Sequence, residues 1–96
     1  MDQPTDNLIL RVRIVSPRQV LFEEEAVSVS STNSMGNFDV LPEHANFVTL
    51  ISSVPIVIVK KDKQPVTFNF PLAILYAANN KVNIYTDIQL EKIRPE

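Results

Sequence analysis

The stretch LILRVRIVS, Leu8 to Ser16, alternates without a break: Leu8, Leu10, Val12 and Ile14 fall on one side of an extended chain, Arg11 and Arg13 on the other. A two-residue period of this kind belongs to a strand with one face in a core and one in water. The same period runs through most of the chain. Pro17 and Arg18 interrupt it, Gln19 to Phe22 (QVLF) resumes it as a short strand, and after Glu23, Glu24 and Glu25 it returns in Ala26 to Ser31 (AVSVSS). In that run Val27 and Val29 are expected inward, Ser28 and Ser30 outward. Further β runs are expected at Phe38 to Leu41, Phe47 to Ile51, Ile56 to Lys60, Val66 to Phe70, Leu72 to Ala77 and Val82 to Thr86, about nine strands in all. Short strands at such spacing predict an all-β fold, an antiparallel β-sandwich or flattened barrel of about nine or ten strands. No segment before residue 87 reads as a helix.

The turns are made almost without glycine. The chain has 1 glycine and 7 prolines in 96 residues. Asn79 and Asn80 are expected to take the left-handed conformation that a tight hairpin requires. Lys61 to Gln64 reads as a looser charged hairpin, and Pro55, Pro65 and Pro71 sit where strands begin and a missing N–H is tolerated. Gly36 closes the polar loop Thr32 to Met35 and is expected at positive φ.

Composition narrows the function. With 45% hydrophobic and 21% charged residues the chain has the makings of one folded domain. Nine basic against eleven acidic residues leave a net charge of -2, which offers no field to attract nucleic acid. There is no cysteine, hence no disulfide framework or thiolate metal site. The N-terminus MDQPTDN lacks the basic and apolar regions of a signal peptide, and the longest apolar run, Val54 to Val59, is far shorter than the roughly 20 residues of a membrane-spanning helix. Direct membrane insertion is not expected.

Candidate sites are few. His44 is the single histidine and stands beside Glu43, but neighbours in an extended segment point to opposite faces and no second histidine can complete a metal site, so His44 reads as a structural or interface residue. Glu23 to Glu25 read as a solvated edge rather than a cation site, and Lys60, Lys61 and Lys63 as a solubilising hairpin. No nucleophile elbow, phosphate loop or zinc motif is present, so the chain is expected to be no enzyme and to carry no catalytic residue, metal or cofactor. Met35, Phe38, Phe47 and Val48 gather around turns and could line an interface at one end of the sandwich.

The residues also carry a resemblance. Ile14-Val15-Ser16, Val20-Leu21-Phe22, Val27-Ser28-Val29, Gly36, the segment Val40-Leu41-Pro42-Glu43-His44-Ala45 and then Phe47-Val48-Thr49 occur in the order found in the N-terminal domain of the epsilon subunit of F-type ATP synthases, which this chain resembles. The likeness continues more weakly through Ile56 to Lys60 and Val82-Asn83-Ile84. Glu43 stands where the family usually has glycine, Ser53-Val54 where it has Pro-Gly, and Leu72-Ala73 where it has Gly-Gly.

What the resemblance implies is a noncatalytic central-stalk subunit of a rotary motor, coupling the gamma subunit to the c-ring during proton-driven ATP synthesis. It would sit peripherally on the cytoplasmic side of an energy-transducing membrane. By position, Ser34, Met35, Gly36, Asn37 and His44 would face the c-ring, and Ser16, Val48, Thr49 and Asn83 the gamma subunit. Residues 1–7 would be a flexible N-terminus, 8–86 the sandwich and 87–96 a tail. The family continues with two C-terminal helices that restrain hydrolysis and in some members bind ATP. Here DIQLEKIRPE supplies at most a turn or two before Pro95, so neither a helical hairpin nor ATP binding is expected. The rival reading is a free-standing β-sandwich that binds a ligand or protein and shares only the fold.

Overall fold

The computed structural model describes residues 9–43 and 46–87. Leu8, His44, Ala45, the expected flexible N-terminus and the tail beyond Asp87 lie outside the described residues. Eight strands follow in order: β1 (Leu10–Val15), β2 (Val20–Asn33), β3 (Gly36–Val40), β4 (Phe47–Ile51), β5 (Pro55–Lys60), β6 (Pro65–Asn69), β7 (Ala73–Ala78) and β8 (Lys81–Thr86). None of the described residues is helical.

They form one sheet in the order β4-β7-β8-β1-β2-β5-β6, with β3 also paired to β2. The sheet curls so that its halves face each other across a core of Leu10, Val12, Ile14, Val29, Ile56, Ile58, Leu75, Val82, Ile84 and their neighbours, all at most 1% exposed. Burying apolar side chains from both inner faces is what holds such a layered β-structure together, at about 25 cal/mol per Å² of apolar surface removed from water. Aromatic pairs pack against this core. Phe38 on β3 meets Phe47 on β4 edge to face at 5.5 Å, and Phe22 on β2 meets Phe68 on β6 at 5.1 Å.

The alternation in β1 is as expected, with Leu10, Val12 and Ile14 buried and both arginines exposed. Three expectations are corrected. The strands expected at Gln19 to Phe22 and Ala26 to Ser31 are one strand, β2, of 14 residues, running straight through Glu23 to Glu25. The acidic run does not break it because β1 lies alongside and puts Arg13 opposite Glu23 and Arg11 opposite Glu25. Opposite charges facing across a ladder favour the pairing.

The second correction concerns phase. Ala26 and Val29 are buried, not Val27 and Val29, because the register against β5 shifts between Ala26 and Ser28. One extra residue there is a β-bulge, and it moves every later side chain to the other face. Ser31 is thereby turned inward, where its hydroxyl donates to the Pro55 carbonyl at 2.8 Å. Third, the sheet is not wholly antiparallel: β1 and β8 run parallel, Val12 opposite Val82 and Ile14 opposite Ile84.

The turns follow the sequence closely. Asn79 and Asn80 have φ of 55° and 62° in the two-residue connection between Ala78 and Lys81, and Gly36 has φ 119°. Neither Ser34 nor Met35 has positive φ, so in the β2–β3 hairpin the unusual backbone conformation falls on the glycine. Glu43 and Ser53 have φ of 68° and 54°. The chain keeps left-handed turns at two places where the resembling family has glycine in or beside the turn. Pro55 and Pro65 open β5 and β6, while Pro71 lies in the bend before β7.

Candidate interaction faces

Two surfaces stand out, and each is built by the register. On the outer side of the sheet, Val48 on β4 lies opposite Tyr76 on β7, Tyr76 opposite Asn83 on β8, and Asn83 opposite Arg13 on β1. The next row runs Leu50, Ile74, Tyr85, Val15 across the same four strands. Val48 is 62% and Leu50 56% exposed, and Tyr76 and Tyr85 are also exposed. Six apolar or aromatic side chains therefore form one continuous face that ends at the charged residues of β1. A contiguous apolar patch on a small domain marks an interaction surface, whereas scattered single residues do not.

The second surface is the β2–β3 hairpin. Its tip is Ser34-Met35, with Met35 91% exposed. The arms are joined by side chains as well as backbone: Ser30 donates to Asp39 at 2.6 Å and Thr32 to Asn37 at 2.8 Å. The Met35 N–H donates to Asn33 Oδ1 at 2.8 Å, closing the turn. A short hairpin held this way presents its thioether tip from a stiff support.

The residues expected to share a face do so only in part. Ser34, Met35, Gly36 and Asn37 lie together at the hairpin tip. Glu43 and Asn46, which flank His44 in the chain, lie at the other end of β3 and are tied to the β7–β8 turn: the Glu43 N–H donates to Asn80 Oδ1 at 2.6 Å and the Asn79 N–H to Asn46 Oδ1 at 3.3 Å. His44 itself is outside the described residues. Of the other set, Val48 and Asn83 belong to the apolar face. Ser16 follows Val15 at its margin, where its hydroxyl accepts from the Gln19 and Arg18 N–H groups. Thr49 points to the opposite side of β4 and accepts from Asn33 Nδ2 at 2.9 Å. Sequence reading missed Leu50, Ile74, Tyr76 and Tyr85. Val48-Thr49-Leu50 does alternate, but only the pairing of β4 with β7 and β8 brings the tyrosines alongside.

The charged side of β1 and β2 is a shallow depression of about 390 Å³ lined by Arg11, Arg13, Glu23, Glu24, Glu25 and Lys81 among others. Glu23 is engaged by Arg13 at 3.5 Å, and Glu25 by Arg11 and Lys61 at 3.8 and 3.3 Å. Strand β5 pairs with β2 from Ala26 onward, and just past it the Lys61 N–H donates to the Glu25 carbonyl at 3.0 Å, so of the acidic run Glu23 and Glu24 lie along a solvated edge on that side and Glu25 does not. Exposed pairs of this kind contribute between 0 and about 1 kcal/mol each. Among the described residues no cluster of three or more His, Cys, Asp or Glu is arranged to hold a metal ion, and no helix is long and apolar enough to cross a membrane.

A model of the family described as the ATP synthase Delta/Epsilon chain beta-sandwich domain matches residues 9–91. The chain belongs to this ATP synthase family. Among curated proteins it is 39% identical over 54 residues to the ATP synthase epsilon chain of Sulfurovum sp. (strain NBC37-1), covering 56% of this chain and 42% of that one. It is 25% identical over 80 residues to the epsilon chain of Protochlamydia amoebophila (strain UWE25), covering 83% of this chain and 54% of that one. This ATP synthase domain thus spans roughly half the length of the curated relatives it matches. Its fold is that of a chain in the Euglena gracilis mitochondrial ATP synthase structure, with TM-score 0.75 at 13% identity over 88% of this chain and 59% of that one. A chain of the Tetrahymena thermophila mitochondrial ATP synthase central stalk and c-ring gives 0.66 at 10% identity, over 80% and 62%. At such identities the likeness is one of fold.

Proposed function

We propose that this epsilon-type domain is a noncatalytic coupling piece of a rotary ATP synthase, seated between the gamma subunit and the c-ring on the cytoplasmic side of the membrane. The observation that carries the reading is the apolar face of Val48, Leu50, Ile74, Tyr76, Tyr85 and Val15, which a domain of this family would cover against the shaft. The stiff hairpin ending in Met35 is the part directed at the ring. A single packed core suits the task, because close-packed interiors transmit strain rather than absorb it. The domain performs no chemistry in this role, and it binds no ATP: calorimetric titration of the chain with MgATP is expected to be flat, and a saturable signal at or below about 1 mM would contradict that.

The direct test is co-purification with gamma. A stable contact should bury about 1,200 to 2,000 Å² in total. Val48→Glu places a charge in the middle of the apolar face, on a side chain that is 62% exposed and so adds little to folding. We expect the variant to keep its melting temperature within a few degrees and to bind gamma at least tenfold more weakly. Unchanged binding would remove the face from the interface and the reading with it.

A further inference from the structure

We infer that Asn33 is a positioning residue that holds the β2–β3 hairpin against β4, so that the tip and the apolar face move as one body; this rests on the assignment of those two surfaces to the ring and the shaft. Asn33 is the last residue of β2 and pairs with Gly36 across the turn. Its carboxamide is used at both ends. Oδ1 accepts the Met35 N–H at 2.8 Å, and because a backbone N–H can only donate, the oxygen must face the turn and the amino group must face away. That amino group donates to Thr49 Oγ1 at 2.9 Å, a partly buried bond between residues sixteen positions apart.

The bond matters because of what is missing beside it. Strand β4 pairs by backbone only with β7, and β3 only with β2, so no ladder joins the hairpin to β4. Besides the Phe38–Phe47 ring contact, farther from the tip, the Asn33–Thr49 bond is the specific link described between the two. Thr49 in turn lies between Val48 and Leu50, whose side chains point out on the apolar face. One asparagine therefore closes the turn that presents Met35 and anchors that turn to the strand carrying the other surface. Serine or aspartate at position 33 could cap the turn, but the neutral carboxamide serves both partners without bringing a charge into a partly buried site.

Thr49→Val tests this, since it removes the acceptor, keeps the side-chain shape and leaves the turn cap in place. In amide hydrogen exchange on the full chain, Met35, Gly36 and Asn37 are expected to exchange about fivefold to tenfold faster, the effect of losing one ordinary hydrogen bond. Amides of β8 should be unchanged, and Thr49→Ser, which retains the hydroxyl, should restore the slow rates. Asn33→Ser, too short to reach β4, should reproduce the fast exchange. If Thr49→Val and Asn33→Ser both leave the tip within twofold of the parent, or if Thr49→Ser behaves like Thr49→Val, the positioning role is overturned. This experiment uses the chain alone, so its failure is distinguishable from failure of the shaft assignment, which the Val48→Glu binding test decides.

Discussion

Replacing Gly36 by alanine should destabilise the domain by about 1 kcal/mol, and the loss should come from the backbone alone. Gly36 has φ 119°, in the half of conformational space that residues with a side chain rarely enter. A Cβ built there meets nothing within 4 Å, so a clash with the rest of the protein contributes nothing. What remains is the local cost of forcing an L-residue into a sparsely populated positive-φ conformation, on the order of 1 to 3 kcal/mol, reduced by the several tenths gained because alanine has less freedom to lose from the unfolded chain. In a domain of this size 1 kcal/mol moves the midpoint by about 4 to 8 °C. Thermal unfolding and urea titration of the parent and of Gly36→Ala would read it. A variant carrying D-alanine at 36, made by chemical synthesis, sets its methyl on the other side of the Cα and favours positive φ, and it should match or exceed the parent. If the L- and D-alanine variants lose stability equally, the cost is steric and the backbone reasoning is wrong; if the L-variant loses nothing, position 36 takes an ordinary conformation.

Two further substitutions should raise stability. Thr86 is 2% exposed and its hydroxyl has no hydrogen-bond partner among the described residues, so Thr86→Val, which keeps the shape and removes the orphaned group, should gain about 1 to 2 kcal/mol by urea titration; a loss would reveal a bonded hydroxyl. Glu43 has φ 68°, so Glu43→Gly should gain up to about 1 kcal/mol despite the extra freedom of glycine in the unfolded chain. An unchanged or lower melting temperature would show that the Glu43 side chain contributes contacts that offset its backbone cost.

A good part of the fold is legible in the residues alone, because side-chain alternation and turn chemistry are local. The inward set of β1, the limits of β4, the left-handed Asn79-Asn80 turn and the positive φ at Gly36 each follow from a few adjacent residues. The family could be read the same way, from an ordered string of short motifs. Local pattern did not show that the acidic run continues β2, since its support is Arg11 and Arg13 on a different strand. Nor did it show the bulge beside Val27, where the period slips because β5 pairs on one side of it with a shifted register. The apolar face and the Asn33–Thr49 bond lie further still from local reading. Val48, Tyr76 and Tyr85 come together, and one asparagine reaches a threonine sixteen residues on, only once the order and register of the strands are set by pairing between distant segments. Period 2 dictates which way each side chain points, but neighbours across a sheet are chosen by packing of the whole core.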